Sequence, residues 1–437
     1  MGAARLLAAQ RTPFAVCDRQ SLSPEIKSQF QKFGAEVFEG QEDPNIIPNF
    51  SRIVISPGIS GKHPLVLSAR ALGIPVITEI DLGLSYLESS RVIAITGTNG
   101  KSTTTVMVEH ILRAAGKKVV ACGNLGEPVS AVAATPPLPD FLSLELSSYQ
   151  LESCAPIPAV SAAITSFSHD HLARHGSMEE YFRCKWGVFA GLRSDGVGVV
   201  TSDVAKLAEK MRLTFQGQRL WVIGEGSTNL PSSIHVQLDA RAQYVLDSRG
   251  AQIMDLRGLP FNEWHNRQNG VFAALLTSQI LGDSPESLLG YLTDFVGLPH
   301  RCELIGKIGG EPVINDSKST NVESTLIALR SHLKPVVLLM GGQGKGESYS
   351  PIAARNQQIK SLVTFGASGE EIAKDCRTDI PTRSYRTLAE AFANIEEWLC
   401  PGSVHLFSPG CASFDEFRNF EHRGEFFKRA MQPHLDT

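Results

Sequence analysis

Short apolar runs alternate with longer amphipathic stretches from one end of the chain to the other. The runs "FAVCD" (14–18), "RIVIS" (52–56), "RVIAIT" (91–96), "FLSLEL" (141–146), "AAITSF" (162–167), "PVIND" (312–316), "VVLLMGG" (336–342), "SLVTFG" (361–366) and "VHLFS" (404–408) read as strands. Between them, "STTTVMVEHILRAAG" reads as a helix closed by Gly116, and "YFRCKWGVFA" as an amphipathic one. Such alternation is the pattern of α/β domains built on largely parallel sheets. Ligands of such sheets sit beyond the carboxyl ends of the strands. Most of the unusual polar residues fall there.

Two boundaries divide the pattern. One lies near residue 90, where "YLESSRVIAITG" opens a fresh strand, and one near 297, where "FVGLPHRCE" follows a long helical stretch. The division expected is 1–90, 91–297 and 298–437. The chain opens on "GAARLLAAQ", which reads as the helix that follows the first strand and glycine turn of a nucleotide-binding unit. The expectation is a first domain lacking its first strand, through a misassigned start or a truncation.

Composition narrows the class. The 437 residues are 42% hydrophobic and 20% charged with a net charge of −4, so neither disorder nor a nucleic-acid partner is expected. Eight dispersed cysteines, none in a Cys-x-x-Cys pair, fit a reduced, cytoplasmic protein in which most serve as small buried hydrophobes. No apolar run is long enough for a membrane span, and Gln10 and Arg11 interrupt the opening stretch too early for a signal peptide.

The candidate chemistry begins at "ITGTNGKSTTT" (95–105). The common phosphate-loop rule places a glycine where Ile95 stands, and the nearest glycine is Gly97. The setting is nevertheless right: a buried strand, then Gly97, Thr98, Asn99, Gly100, Lys101, Ser102 and Thr103, then a helix. Backbone N–H groups and the helix start would meet phosphates, Lys101 the terminal phosphates and Ser102 a magnesium ion. Glu145, at a strand end, could reach a phosphate-bound metal or simply face solvent. "SFSHDHLARHGS" (166–177) carries three histidines and an aspartate, a pattern for a metal ligand or an acid–base group. Lys185, alone in its helix, reads as a solvated lysine, and Asn266 and Asn269 at a helix start read as caps. The 298–437 segment offers His300 and Arg301, then "NDSKSTN" with Asp316, Lys318 and Thr320, "GGQGKG" with Lys345, and "SPGCASFDEFRNFEHRG" with Ser413 and Phe420. Four polar clusters at strand ends point to one binding face.

Together these motifs resemble the ATP-dependent Mur ligases. "GTNGKST" matches their shortened loop, Gly-x-x-Gly-Lys-[Ser/Thr]. "SPGIS", "LELSSYQLE", "DHLARHGS", "HNRQN", "GLPHRCE", "NDSKSTN", "GGQGKG" and the long C-terminal motif are similar to the branch that adds D-glutamate. The resemblance implies three domains: a Rossmann-like UDP-binding domain, a central P-loop ATPase domain on a parallel sheet, and a C-terminal Rossmann-like α/β domain. It implies a reaction of peptidoglycan precursor synthesis, and through it a part in cell shape and division. ATP phosphorylates the terminal carboxylate of UDP-N-acetylmuramoyl-L-alanine, and the D-glutamate amine attacks the acyl phosphate, with two Mg²⁺ sites. By resemblance, Lys101 stabilises the transferring phosphoryl group, Ser102 and Glu145 serve one Mg²⁺, and His171 serves the other. Lys185 takes the place of the family's carbamylated lysine, which reverses its reading as a solvated side chain. Asn124 would touch the muramoyl-alanine part, and Asn266, Asn269, Arg301 and Asp316 the nucleotide. Lys318, Thr320, Lys345, Ser413 and Phe420 would hold D-glutamate, and Asp18 and Arg19 are offered for the uridine side. A monomer that closes its domains on substrate is expected, with no nucleic-acid or membrane partner.

The chain departs from the family pattern at Ala173 and Gln343, where aspartate is usual, and at Ser166, where asparagine is usual. A catalytically impaired relative that binds nucleotide is therefore the alternative. A folate polyglutamylating enzyme fits the C-terminal motifs less well. A GTPase would need an Asn/Thr-Lys-x-Asp motif, and the chain has none.

Overall fold

The computed structural model describes residues 1–40, 43–261, 263–332, 334–376 and 380–436. The chain divides into two compact units, Met1–Phe295 and Val296–Thr437.

The first unit is built on a nine-stranded sheet. Its order is Gln252–Asp255, Tyr244–Asp247, Ser233–Leu238, Arg219–Ile223, Val197–Thr201, Ala159–Ile164, Arg91–Thr96, Phe141–Glu145 and Val119–Gly123. The seven strands from Ser233–Leu238 to Val119–Gly123 run parallel, and Tyr244–Asp247 and Gln252–Asp255 add an antiparallel hairpin at the far edge. A parallel sheet is covered on both faces, and Arg91–Thr96 shows how the sequence achieves this. Val92 and Ala94 point into one core with Leu142, Leu144, Phe182 and Trp186. Ile93 and Ile95 point into the other with Met107, Ile111, Phe272 and Leu275. Successive side chains of a strand face opposite ways, so an unbroken apolar run serves two cores. The helix Trp264–Leu281 crosses the second core, and its segment from Gly270 to Thr277 is buried all round.

Residues 1–90 hold two separate pairs of parallel strands. Ala15–Asp18 pairs with Glu36–Glu39, and Ile53–Ile55 with Val76–Thr78. The helix Gly2–Ala9 contributes to two hydrophobic clusters. Its Ala4 belongs to a small cluster with Phe30 and Ala35, and its Leu6 to the main core, against which Val54 and Ile77 pack.

The second unit is a six-stranded sheet in the order Glu303–Ile308, Glu311–Asn315, Val404–Gly410, Val336–Gly341, Ile359–Phe365 and Thr382–Ser384. Only the first pair is antiparallel. Because the other strands share one direction, the loops after Asn315, Gly341, Phe365 and Gly410 emerge on the same edge of the sheet. That topology brings the polar clusters of the sequence together.

None of the eight cysteines is in a disulfide. Cys122, Cys376 and Cys411 are buried, four are half-buried and Cys17 is exposed, so the expectation that most are fully buried is met by three only. Among the described residues, no helix is long and apolar enough to cross a membrane.

Candidate active site

The phosphate-type loop joins Arg91–Thr96 to the helix Lys101–Ala114. Gly97 has φ 147° and Gly100 φ 85°. At Gly97 a Cβ would lie 2.1 Å from Thr165 Oγ1, and at Gly100 2.7 Å from Asn269 Oδ1. Both positions therefore admit only glycine without rearrangement, and bare backbone lines the loop. The segment after the neighbouring strand braces it. Thr165 Oγ1 donates to Asn99 O at 2.6 Å, Asn99 N donates to Ser166 Oγ at 2.8 Å, and Thr98 N donates to Ser166 O at 2.9 Å. Ser166, one of the departures from the family pattern, thus has a structural task in this chain.

Two lysines converge on one carbonyl. Lys101 Nζ donates to Gly97 O and Thr98 O, each at 2.9 Å, and Lys185 Nζ donates to Gly97 O at 2.7 Å. Lys185 is 2% exposed, on the helix Met178–Trp186, with its Nζ 4.8 Å from the Tyr181 ring centroid. Burial first, and the charge of Lys101 second, push its pKa well below the ordinary lysine value. The reading of Lys185 as a solvated lysine is overturned: the side chain is buried, and its surroundings disfavour the charged form.

Glu145 ends its strand at 2% exposure, with Oε1 accepting from Asn124 Nδ2 at 2.6 Å. The parallel register sets Gly123 beside Glu145, which delivers Asn124 to that carboxylate. In the histidine segment the three rings go separate ways. His169 is exposed, His175 Nε2 lies 3.0 Å from Ser148 Oγ, and His171 takes a left-handed backbone, φ 54°. His171 Nδ1 is 3.3 Å from Tyr149 Oη, and its Nε2 is 3.4 Å from Asp170 Oδ2.

Asn266 and Asn269 do not cap their helix, whose N-cap is Glu263. Asn266 Nδ2 donates to Glu263 Oε2 at 3.3 Å, while Asn269 Oδ1 accepts from Thr104 Oγ1 at 3.3 Å beside Gly100. The capping reading is corrected: Asn269 supports the phosphate loop from below. Near the chain start, Asp18 Oδ1 accepts from Gln20 N at 2.9 Å, and Arg19 is exposed.

In the second unit, Asp316 is buried and accepts from Ser319 Oγ, from Ser408 Oγ at 2.8 Å and from Cys302 N at 3.2 Å. Its carboxylate anchors the loop it begins, and burial raises its pKa to about 6. Lys318 Nζ lies 3.9 Å from the Phe420 ring centroid, and Thr320 is half-buried. Ser413 is buried, Lys345 is exposed and Arg301 half-buried. Sequence reasoning passed over the residue that organises this face, Arg423, which is wholly buried. It donates to Ser317 O at 2.8 Å, Ser317 Oγ at 3.1 Å, Cys411 O at 3.0 Å, Ala412 O at 3.2 Å and Gly341 O at 3.5 Å. One guanidinium fork thereby ties three strand-end loops together.

The residues of the first unit fit a magnesium nucleotide. The glycine-lined loop opens a helix whose first N–H groups favour phosphate. Ser102, Glu145 and His171 offer one hydroxyl, one carboxylate and one imidazole. Among the described residues, no three or more His, Cys, Asp or Glu side chains gather as a self-sufficient metal centre.

Comparison with known proteins agrees. Residues 95–269 match the family model of the Mur ligase middle domain, and residues 1–78 that of the Mur ligase MurD-like N-terminal domain. The UDP-N-acetylmuramoylalanine–D-glutamate ligase of Nitrosococcus oceani is 33% identical over 99% of this chain and 94% of its own length. That of Gloeobacter violaceus is 36% identical over 91% of this chain and 88% of its own. Among solved structures, the fold is similar to the UDP-N-acetylmuramate–alanine ligase MurC of Thermotoga maritima, with TM-score 0.62 and 17% identity over 99% of this chain and 96% of that one. It is also similar to MurF of Acinetobacter baumannii, with TM-score 0.62 and 18% identity over 98% of each chain. The chain belongs to the Mur ligase family, in its MurD-like branch.

Proposed function

We propose that the protein is an ATP-dependent amide ligase that adds D-glutamate to UDP-N-acetylmuramoyl-L-alanine, releasing ADP and phosphate. The observation that carries the mechanism is the meeting of Lys101 and Lys185 at Gly97 O, on a glycine-lined loop. Full-length likeness to the D-glutamate ligases supports the choice of acceptor. The division of labour we assign is 1–90 for the UDP side, 91–297 for ATP and 298–437 for D-glutamate.

A carboxylate is a poor electrophile, and phosphorylation gives it a leaving group. A carboxylate oxygen of the substrate forms a bond to the γ-phosphorus as the bond to ADP breaks. The D-glutamate amine then attacks the acyl carbon, loses a proton, and inorganic phosphate departs. The first step brings anions together, so positioned cations and N–H donors carry most of the acceleration. Gly97, Thr98, Asn99 and Gly100 cradle the phosphates through backbone N–H groups, with Thr103 in the first helical turn beside them. Lys101 swings from the loop carbonyls to the transferring group. Divalent cations, when bound, neutralise phosphate charge, and Ser102, Glu145 and His171 are the side chains that would hold them. Burial lowers the pKa of Lys185, which favours the uncharged amine that reaction with CO₂ requires, and its carbamate would replace a repelling ammonium by an anionic oxygen ligand.

Asn124, held against Glu145, orients the muramoyl-alanine end. Asn266, Asn269, Arg301 and Asp316 serve the nucleotide, the last through its loop. Lys318, Lys345, Thr320, Ser413 and Phe420 receive D-glutamate, the lysines facing its carboxylates. Asp18 and Arg19 are assigned to the uridine side. The test is phosphate release from ATP with UDP-N-acetylmuramoyl-L-alanine and D-glutamate, each omitted in turn. Release should require all three. Release that ignores D-glutamate would refute the assignment.

A further inference from the structure

We propose that Tyr149, clamped from above by Arg174, is the positioning residue that sets the imidazole of His171. The proposal rests on the reading of His171 as a cation ligand. Tyr149 lies in the first turn of the helix Ser148–Ser153, which begins three residues after Glu145. Its hydroxyl reaches His171 Nδ1 at 3.3 Å, and the two ring centroids are 5.0 Å apart. The phenol ring is packed about: Arg174 Cζ stands 5.3 Å from its centroid, and the His175 ring centroid 5.8 Å. Arg174 is itself held, donating from Nε to Glu152 Oε2 at 3.0 Å and from Nη1 to Gly58 O at 3.3 Å.

The arrangement addresses both nitrogens of one imidazole. Asp170 Oδ2 stands at Nε2 and the phenol at Nδ1. A histidine that binds a metal through one nitrogen uses a hydrogen bond from the other to fix its tautomer and its plane. A phenol suits the task because its hydroxyl both donates and accepts. In the metal-free chain the Asp170 carboxylate favours the proton on Nε2, and Nδ1 accepts from the phenol. A cation taken at Nε2 would move that proton to Nδ1, and the phenol oxygen would then accept its hydrogen bond. His171 itself takes a left-handed backbone, φ 54°, a conformation uncommon outside glycine.

The test is Tyr149→Phe, which removes one oxygen and keeps the ring stack. Mn²⁺ affinity in the presence of ADP, read by electron paramagnetic resonance, should fall roughly tenfold. The unfolding temperature should stay within about 2 °C, since little packing is lost. Long-range ¹⁵N correlation spectra of the metal-free protein should show the Nδ1 resonance of His171 shifted by the phenol's hydrogen bond in the wild type, and that shift should be lost in the variant. Added to His171→Ala, the Phe substitution should weaken Mn²⁺ binding no further. Wild-type Mn²⁺ affinity in Tyr149→Phe would overturn the proposal, as would a full additional loss in the His171→Ala background. Unchanged Mn²⁺ affinity in His171→Ala would overturn the metal assignment itself, and the proposal with it.

Discussion

At the scale of the residue, the site depends on positions where one atom decides the outcome. Gly97→Ala sets a Cβ 2.1 Å from Thr165 Oγ1 at a φ that side chains rarely adopt. Nucleotide affinity, followed with a fluorescent ADP analogue, should drop by roughly tenfold or more. Lys185→Ala should lose activity by about a hundredfold or more, and added short carboxylates should restore part of it. Full activity of that variant would remove the carbamate role. How legible each residue was in the sequence follows from how local its signal is. Gly97, Gly100 and Lys101 could be placed because strand, loop and helix are contiguous. Lys185 could not, because its burial comes from Tyr181 and from the loop almost ninety residues earlier in the chain. A lysine followed by Trp186 in an amphipathic helix carries no local mark of that fate.

At the scale of the element, long unbroken apolar runs announced themselves, while the interior strands Val197–Thr201 and Arg219–Ile223 and several short ones were passed over. "RVIAIT" and "VVLLMGG" are continuous apolar runs and lie in sheet interiors. Val76–Thr78 and Thr382–Ser384 have three residues each, sit at edges and were passed over. The asparagines before "GVFAALL" looked like caps, but the helix starts earlier, at Trp264, and carries them inside. Arg423 was quoted within a motif without being singled out, because its partners are backbone carbonyls that no sequence pattern reveals. Arg423→Met would strand those carbonyls in a buried site. Urea unfolding of the second unit should reveal a loss of roughly 3 kcal/mol. The D-glutamate KM should rise well above that of ATP, because the tied loops carry Lys318, Lys345 and Ser413. Equal rises in both would disconnect Arg423 from that face.

At the scale of the whole molecule, two buried groups of the second unit give stability opposite dependences on pH. His405 is buried with Nε2 accepting from Cys400 N at 3.1 Å, and burial lowers its pKa to about 4 from an ordinary 6.5. The unfolded chain therefore binds the extra proton first, and stability is lost as pH falls from 6.5 towards 4. Asp316 acts the other way. Its pKa of about 6 lies above the ordinary 3.8, so its contribution is complete in acid and declines as pH rises through that window. Each shift corresponds to about 3 kcal/mol, so the two partly mask one another in the wild type. The stability difference between wild type and His405→Leu isolates the histidine. It should move by about 3 kcal/mol against the wild type between pH 6.5 and pH 4 in denaturant titrations. The same scale governs the first of the two strand pairs of residues 1–90. An isolated pair of strands is marginally stable, and the first pair leans on the helix Gly2–Ala9 through the cluster of Ala4, Phe30 and Ala35, against which Val16 and Val37 pack. Loosening of that one short helix exposes this pair to solvent. Amide hydrogens of Ala15–Asp18 should then exchange for deuterium long before those of Arg91–Thr96.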